Sequence, residues 1–147
     1  MRGAAAALVA TAVLLGACSP HPRTAQDFKD DASRPVDSAQ SITQTLDLTL
    51  TEVAKGKITE HLATATLADA AHDLDKELKL VQGYDAKGAD TLKAKVVAAI
   101  QQAADVSHQV QGGATRDRAQ QVEPAAKAAA DGFDDVANQL PSPDKSF

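Results

Sequence analysis

The sequence predicts an all-α protein whose main domain is an antiparallel up-down-up-down four-helix bundle, and three features carry that reading. Beyond Pro35 the apolar residues recur at intervals of three and four, the period of a helix face rather than a strand. The same stretch is rich in Ala, Leu, Gln and Lys, which lose little on entering a helix. Glycines and a proline divide it into four segments of similar length, joined by connections too short to do anything but turn the chain back.

Residues 1–17 form the first element, a targeting segment. Arg2 supplies a positive start, and the run Ala4 to Leu15 (AAAALVATAVLL) supplies an apolar stretch of signal-peptide length. A helix that crosses a bilayer needs about 20 apolar residues, and this run is followed closely by His21, Pro22 and Arg23, so it is not expected to remain as a span. The segment closes on Leu15-Gly16-Ala17-Cys18: an aliphatic residue, two small residues and a cysteine.

That tetrapeptide resembles the lipobox of bacterial lipoproteins. The resemblance covers the first 18 residues alone, and no family is recognised for the rest. It implies a diacylglyceryl group on the Cys18 sulfur, cleavage before Cys18 and, often, acylation of the new α-amine. Cys18 is the single cysteine of the chain, so no internal disulfide competes for it. Several acyl chains on one residue anchor a protein stably, whereas one does so marginally. The implied location is the cell envelope, on the extracytoplasmic face of a membrane, with inner and outer membrane both open.

Residues 18–35 read as the lipidated cysteine and a flexible tether, because Ser19 to Pro35 is polar, carries Pro20, Pro22 and Pro35, and shows no sustained apolar period. The bundle is then expected over 36–140. Its first helix, about 37–55, carries Ala39, Ile42, Leu46, Thr49 and Val53, with Asp37 or Ser38 as cap and Gly56 as stop. The second, about 59–82, carries Leu67, Ala71, Leu74, Leu78 and Val81, capped by Thr59 and stopped by Gly83. Leu92, Val96, Ala99, Ala103, Val106 and Val110 mark a third, beginning near Asp85 or Asp90, given as about 86–111 and ending at Gly112-Gly113. The fourth, about 115–140, carries Ala119, Val122, Ala126, Ala129, Phe133, Val136 and Leu140; Pro124 within it should bend the helix or mark its true start. Residues 141–147 are left as a tail.

Charge narrows the partners. The precursor carries a net −5, and loss of Arg2 with the signal makes the mature chain more acidic, so neither nucleic acid nor a direct electrostatic grip on anionic lipid is expected. About 130 mature residues suit one domain, expected to be a monomer.

Two carboxylate-x-x-His pairs, Asp69 with His72 and Asp105 with His108, resemble the ligand pairs of di-metal helical bundles. Counted at about 100° per residue, all four side chains point away from the apolar stripe and should face water. Counting outward from the turn near Gly83 places His72 and His108 roughly 20 Å apart in level, too far to share an ion. His61 and His72 share a face but lie about 16 Å apart, and Asp131, Asp134 and Asp135 lack the spacing of a calcium loop. No metal ligand, cofactor or catalytic residue is therefore assigned, and no nucleophile elbow, zinc, phosphate-loop or dinucleotide motif occurs. With four aromatic residues and no Trp, stacking sites are not expected either; Tyr84 reads as a packed turn residue. Leu48, Leu62, Leu80 and Val97 are expected to face outward. The sequence thus favours a non-catalytic interaction or accessory module binding an envelope protein, with a small-ligand or metal carrier as the alternative.

Overall fold

A computed structural model describes residues 24–141, which form four helices and no strand: α1 (Ala25–Ala54), α2 (Glu60–Gly83), α3 (Asp90–Val110) and α4 (Arg116–Ala137). The targeting segment and Cys18 lie outside the described residues, as does all of the tail except Pro141. Each helix packs on two neighbours, α1 on α2 and α4, and α3 on α2 and α4, while α1 and α3 touch only slightly across the diagonal. Cross-helix hydrogen bonds give direction. Gln40 donates to Asp134 and Thr51 donates to Glu123, so advancing along α1 means retreating along α4.

The largest departure from the sequence reading is α1, which begins twelve residues before the expected 37. The stretch 25–35 is helix, not tether, and with its cap Thr24 it moves the start of the domain from 36 to 24. Its start is a capping box: Thr24 Oγ1 accepts from the Asp27 amide at 3.3 Å, and Asp27 Oδ2 accepts from the Thr24 amide at 2.6 Å. Phe28, Ala32, Val36 and Ala39 then follow at helical spacing and are buried against Val81, Leu92, Phe133 and Val136. Pro35 costs the helix one amide donor, but its ring is buried and α1 continues through it.

Thr59 and Thr115 cap α2 and α4, accepting from the amides of Leu62 and Arg118. No side chain caps α3, which takes the later of its two expected starts, Asp90, because Tyr84 to Ala89 forms a real connection with Ala86 and Ala89 packed into the core. Lys93 Nζ pins that connection, donating to the carbonyls of Gln82 at 2.8 Å and Tyr84 at 2.6 Å, so a cation sits where the α2 dipole ends. The fourth helix is continuous through Pro124. Both Pro124 and Gln120, whose carbonyl loses its intrahelical donor, lie on the exposed face where water can serve instead. At the far end Gly56 adopts φ 70°, which a side chain would strain, and the Arg116 guanidinium lies over it.

The core has two parts. One occupies the end where α1 begins and holds both buried phenylalanines, Phe28 and Phe133; the other surrounds Leu46, Leu50, Val53, Leu67 and Val110 toward the opposite end. Between them the helices meet through small residues and two fully buried hydroxyls. Thr43 donates to the Ala39 carbonyl at 2.7 Å and Ser107 to the Ala103 carbonyl at 3.1 Å, so each is satisfied within its own helix. Every stripe residue named above is buried except Ile42 and Leu140, which are half-buried at its margins.

Phe28→Ala should cost about 3–5 kcal/mol in denaturant unfolding, the penalty for emptying a packed aromatic site, whereas a tether residue would cost almost nothing. For the same reason a fragment starting at residue 36 should unfold at lower denaturant than one starting at 24. Leu74→Asp, which places a charge in the core, should be far more damaging than Lys76→Asp on the exposed face.

Candidate functional site

A group of chemically capable side chains meets on the outside of the bundle, across the α2–α3 seam. His72, Asp75, Lys76, Lys79 and Leu80 line a shallow surface cleft on α2. From α3, His108 Nε2 donates to Asp75 Oδ1 at 3.1 Å. His72 sits one turn before Asp75, so only about 5 Å of helical rise separates it from the level where His108 bonds. The 20 Å offset expected from sequence is therefore wrong. Counting from Gly83 treated the turn as tight, but the Tyr84–Ala89 connection lets α3 begin well past the end of α2. Thr64 opposite Ala114 and Asp75 opposite His108 show the resulting register, with α2 and α3 running in opposite directions.

Closer level does not assemble a ligand set. Asp69, His72, Asp105 and His108 are all exposed, as the angular count indicated, and Asp105 is engaged by Gln101 at 2.8 Å. Among the described residues no group of three or more His, Cys, Asp or Glu side chains is gathered to hold a metal ion. Asp134, in the acidic group near the end of α4, accepts from Gln40.

The electrostatics of three groups are altered: the Tyr84 phenol is raised by partial burial and then by Asp31 and Glu77, and the other two groups lie on the helix seams. Hydrogen bonds to Asp75 and then Gln111 hold the His108 ring in its charged form and raise its pKa above the usual histidine value, against a small opposing effect of burial. On the α1–α4 seam, partial burial raises the Asp47 carboxyl, and Glu123 raises it further; Lys127 pulls it down and Asp131 pushes it up again. Neither group lies in an enclosed site.

The interior offers no alternative. The buried set is almost wholly Ala, Leu, Val, Ile and Phe; its polar members are Ser33, Thr43, Thr49 and Ser107, and no charged residue belongs to it. Among the described residues no buried side-chain nitrogen or oxygen lacks a hydrogen-bond partner. Tyr84 packs against the core as a turn residue. Of the four apolar residues expected outside, Leu48, Leu62 and Leu80 are exposed, whereas Val97 is half-buried against the core. Leu62 and Leu80 share one face of α2 but are roughly 27 Å apart, with Asp69, Asp73 and Lys76 on the face between them. A second cleft, at the end where α1 begins, is lined by Ala25, Lys29, Gly88, Asp90, Asn138 and Gln139 among others. Among the described residues no helix is long and apolar enough to cross a membrane. Comparison with known proteins finds no matching family model, no matching curated relative and no matching solved structure.

His108 and Asp47 have opposite chemistry but the same sign of linkage. A raised His108 pKa gives a contribution that is complete below about pH 6.5, its unfolded value, and is lost as the pH rises through the folded pKa. In an NMR titration, Asp75→Asn should therefore bring the His108 midpoint down, with little change in stability at alkaline pH. For Asp47, ionisation is disfavoured by the fold, so its penalty appears as pH rises above the carboxylate range. Asp47→Asn should raise the melting temperature at neutral pH, and that gain should vanish in acid, where the wild-type carboxyl is already neutral.

Proposed function

We propose that this chain is a lipoprotein of the cell envelope, held on a membrane by lipid on Cys18, whose helical bundle acts as a non-catalytic interaction or accessory module. The observation that carries the non-catalytic reading is the interior. Among the described residues it is filled by apolar side chains, holds no charged residue and leaves no buried side-chain polar atom unpartnered. Such a core has nothing with which to orient a ligand, and recognition then falls to the outer faces of the helices. The partner on this reading is another envelope protein, met by a monomeric bundle, with the lipid supplying the membrane attachment.

The Leu15-Gly16-Ala17-Cys18 lipobox supports the anchor, and exposed Leu48, Leu62 and Leu80 supply apolar contacts among charged neighbours. Wild-type protein from an export-competent bacterium should show an acylated N-terminal Cys18 by mass spectrometry and partition with membranes. Cys18→Ala should abolish both. An unmodified Cys18 in the wild type would remove the anchor from this reading. Native mass spectrometry of the purified protein tests the module separately: a small molecule or metal retained in stoichiometric amount would replace it with a carrier.

A further inference from the structure

Asp75 has two cationic partners by position, one across the α2–α3 seam and one on its own helix, and the structure shows it with the first alone. His108 Nε2, on α3, donates to Asp75 Oδ1 at 3.1 Å, with the two side chains 41% and 39% exposed. Lys79 stands four residues after Asp75 on α2 and lines the same cleft, the acid-before-base spacing that favours an ion pair along a helix. Yet Lys79 forms no ion pair among the described residues.

The charge on the His108 ring decides between the two. An imidazolium has two N–H donors and can serve Asp75 and Gln111 together, whereas a neutral imidazole has one and can donate to only one of them. Loss of the proton also removes the positive charge that competes with the Lys79 ammonium for the carboxylate. The remaining charged and titratable groups around the ring do not take its place. On this side α2 presents His72, Lys76 and Lys79 besides Asp75, and α3 adds Asp105, which Gln101 engages. Lys95 and Asp135 belong to a separate cleft on the other seam, against α4. The exchange asks nothing of the backbone, because Lys79 is exposed and Asp75 half-buried, above a core side of α2 held by Leu74 and Leu78.

We propose that Asp75 is a two-position switch driven by His108: it pairs across the α2–α3 seam while the ring is charged, and turns along α2 to Lys79 when the ring is neutral. In the first position Lys76 and Lys79 both stand open in the cleft beside Leu80; in the second, Lys79 is occupied and one free ammonium remains. The α2 face therefore holds an acidic group more strongly below the midpoint of His108 than above it. The ring titrates above 6.5, its ordinary value, so the change falls in the neutral range. The switch concerns the charge of this face, and it stands or falls separately from the lipid anchor and from the existence of a protein partner.

The test follows three side chains by NMR in the full processed chain, isotope-labelled and held in detergent micelles, from about pH 5 to about pH 9. The three-bond couplings that report the Asp75 χ1 rotamer should change with the midpoint of the His108 ring, and the Lys79 side-chain signals should move with them. His72 is followed as a separate ring, and an Asp75 change that tracks His72 instead would overturn the proposal. Two variants at exposed positions locate the partners. In His108→Gln, Asp75 should keep its alkaline rotamer at every pH. In Lys79→Met no ammonium competes, so Asp75 should stay on the one N–H left to the neutral ring and the rotamer change should be lost. One unchanging Asp75 rotamer in the wild type, or a rotamer change that survives in His108→Gln, would overturn the switch.

Discussion

Small side chains set the terms of this fold. Nearly half of the buried apolar residues are alanines, which remove little surface from water individually and fill space only if the helix backbones come close. Close approach is possible through the middle of the bundle, where Ala71, Ala103, Ala126 and Ala129 share the interior with two self-satisfied hydroxyls. Larger residues are set among the alanines along the whole bundle, with Leu74 and Ile100 near its middle. Phe28 and Phe133 fill one end, and Leu50, Val53 and Val110 fill the other. The early start of α1 is thus part of the closure of the core. Without residues 24–35, Phe133, Val81 and Leu92 would face a missing wall.

Most of the architecture was legible because the buried stripes are regular and their borders carry strong local chemistry. Thr59 was visible as a cap, Gly56 and Gly113 as stops, and both glycines have positive φ. The start of α1 was legible too, in retrospect, from two signals: the Thr24-x-x-Asp27 capping box and the spacing of Phe28, Ala32, Val36 and Ala39. Pro35 masked both, since an interior proline is ordinarily read as a boundary, and alanine contributes weakly to any apolar pattern. Tertiary burial of Phe28 and of the proline ring itself outweighs the lost amide.

The surface was less legible, for a geometric reason. Which way a side chain faces follows from its angle on its own helix, and the outward placement of His72 and His108 was recoverable on that basis. Which residues meet across a seam depends on how far one helix is slid along the next, and this is fixed by the path of the connection. Residues 84–89 contain no signal for that path that pattern reading uses; the Lys93 ammonium on the Gln82 and Tyr84 carbonyls is a tertiary contact nine and more residues away. The pairing of Asp75 with His108 was accordingly missed.

The alanine-rich interior also bears on how the protein responds to temperature. The heat-capacity change of unfolding comes chiefly from apolar surface newly exposed to water, and a core of methyl groups exposes less of it per residue than one of leucines. A smaller heat-capacity change flattens the curve of stability against temperature, so that stability is modest at its maximum yet declines slowly on either side. An alanine-rich core is thus expected to give a shallower stability curve, not a higher peak.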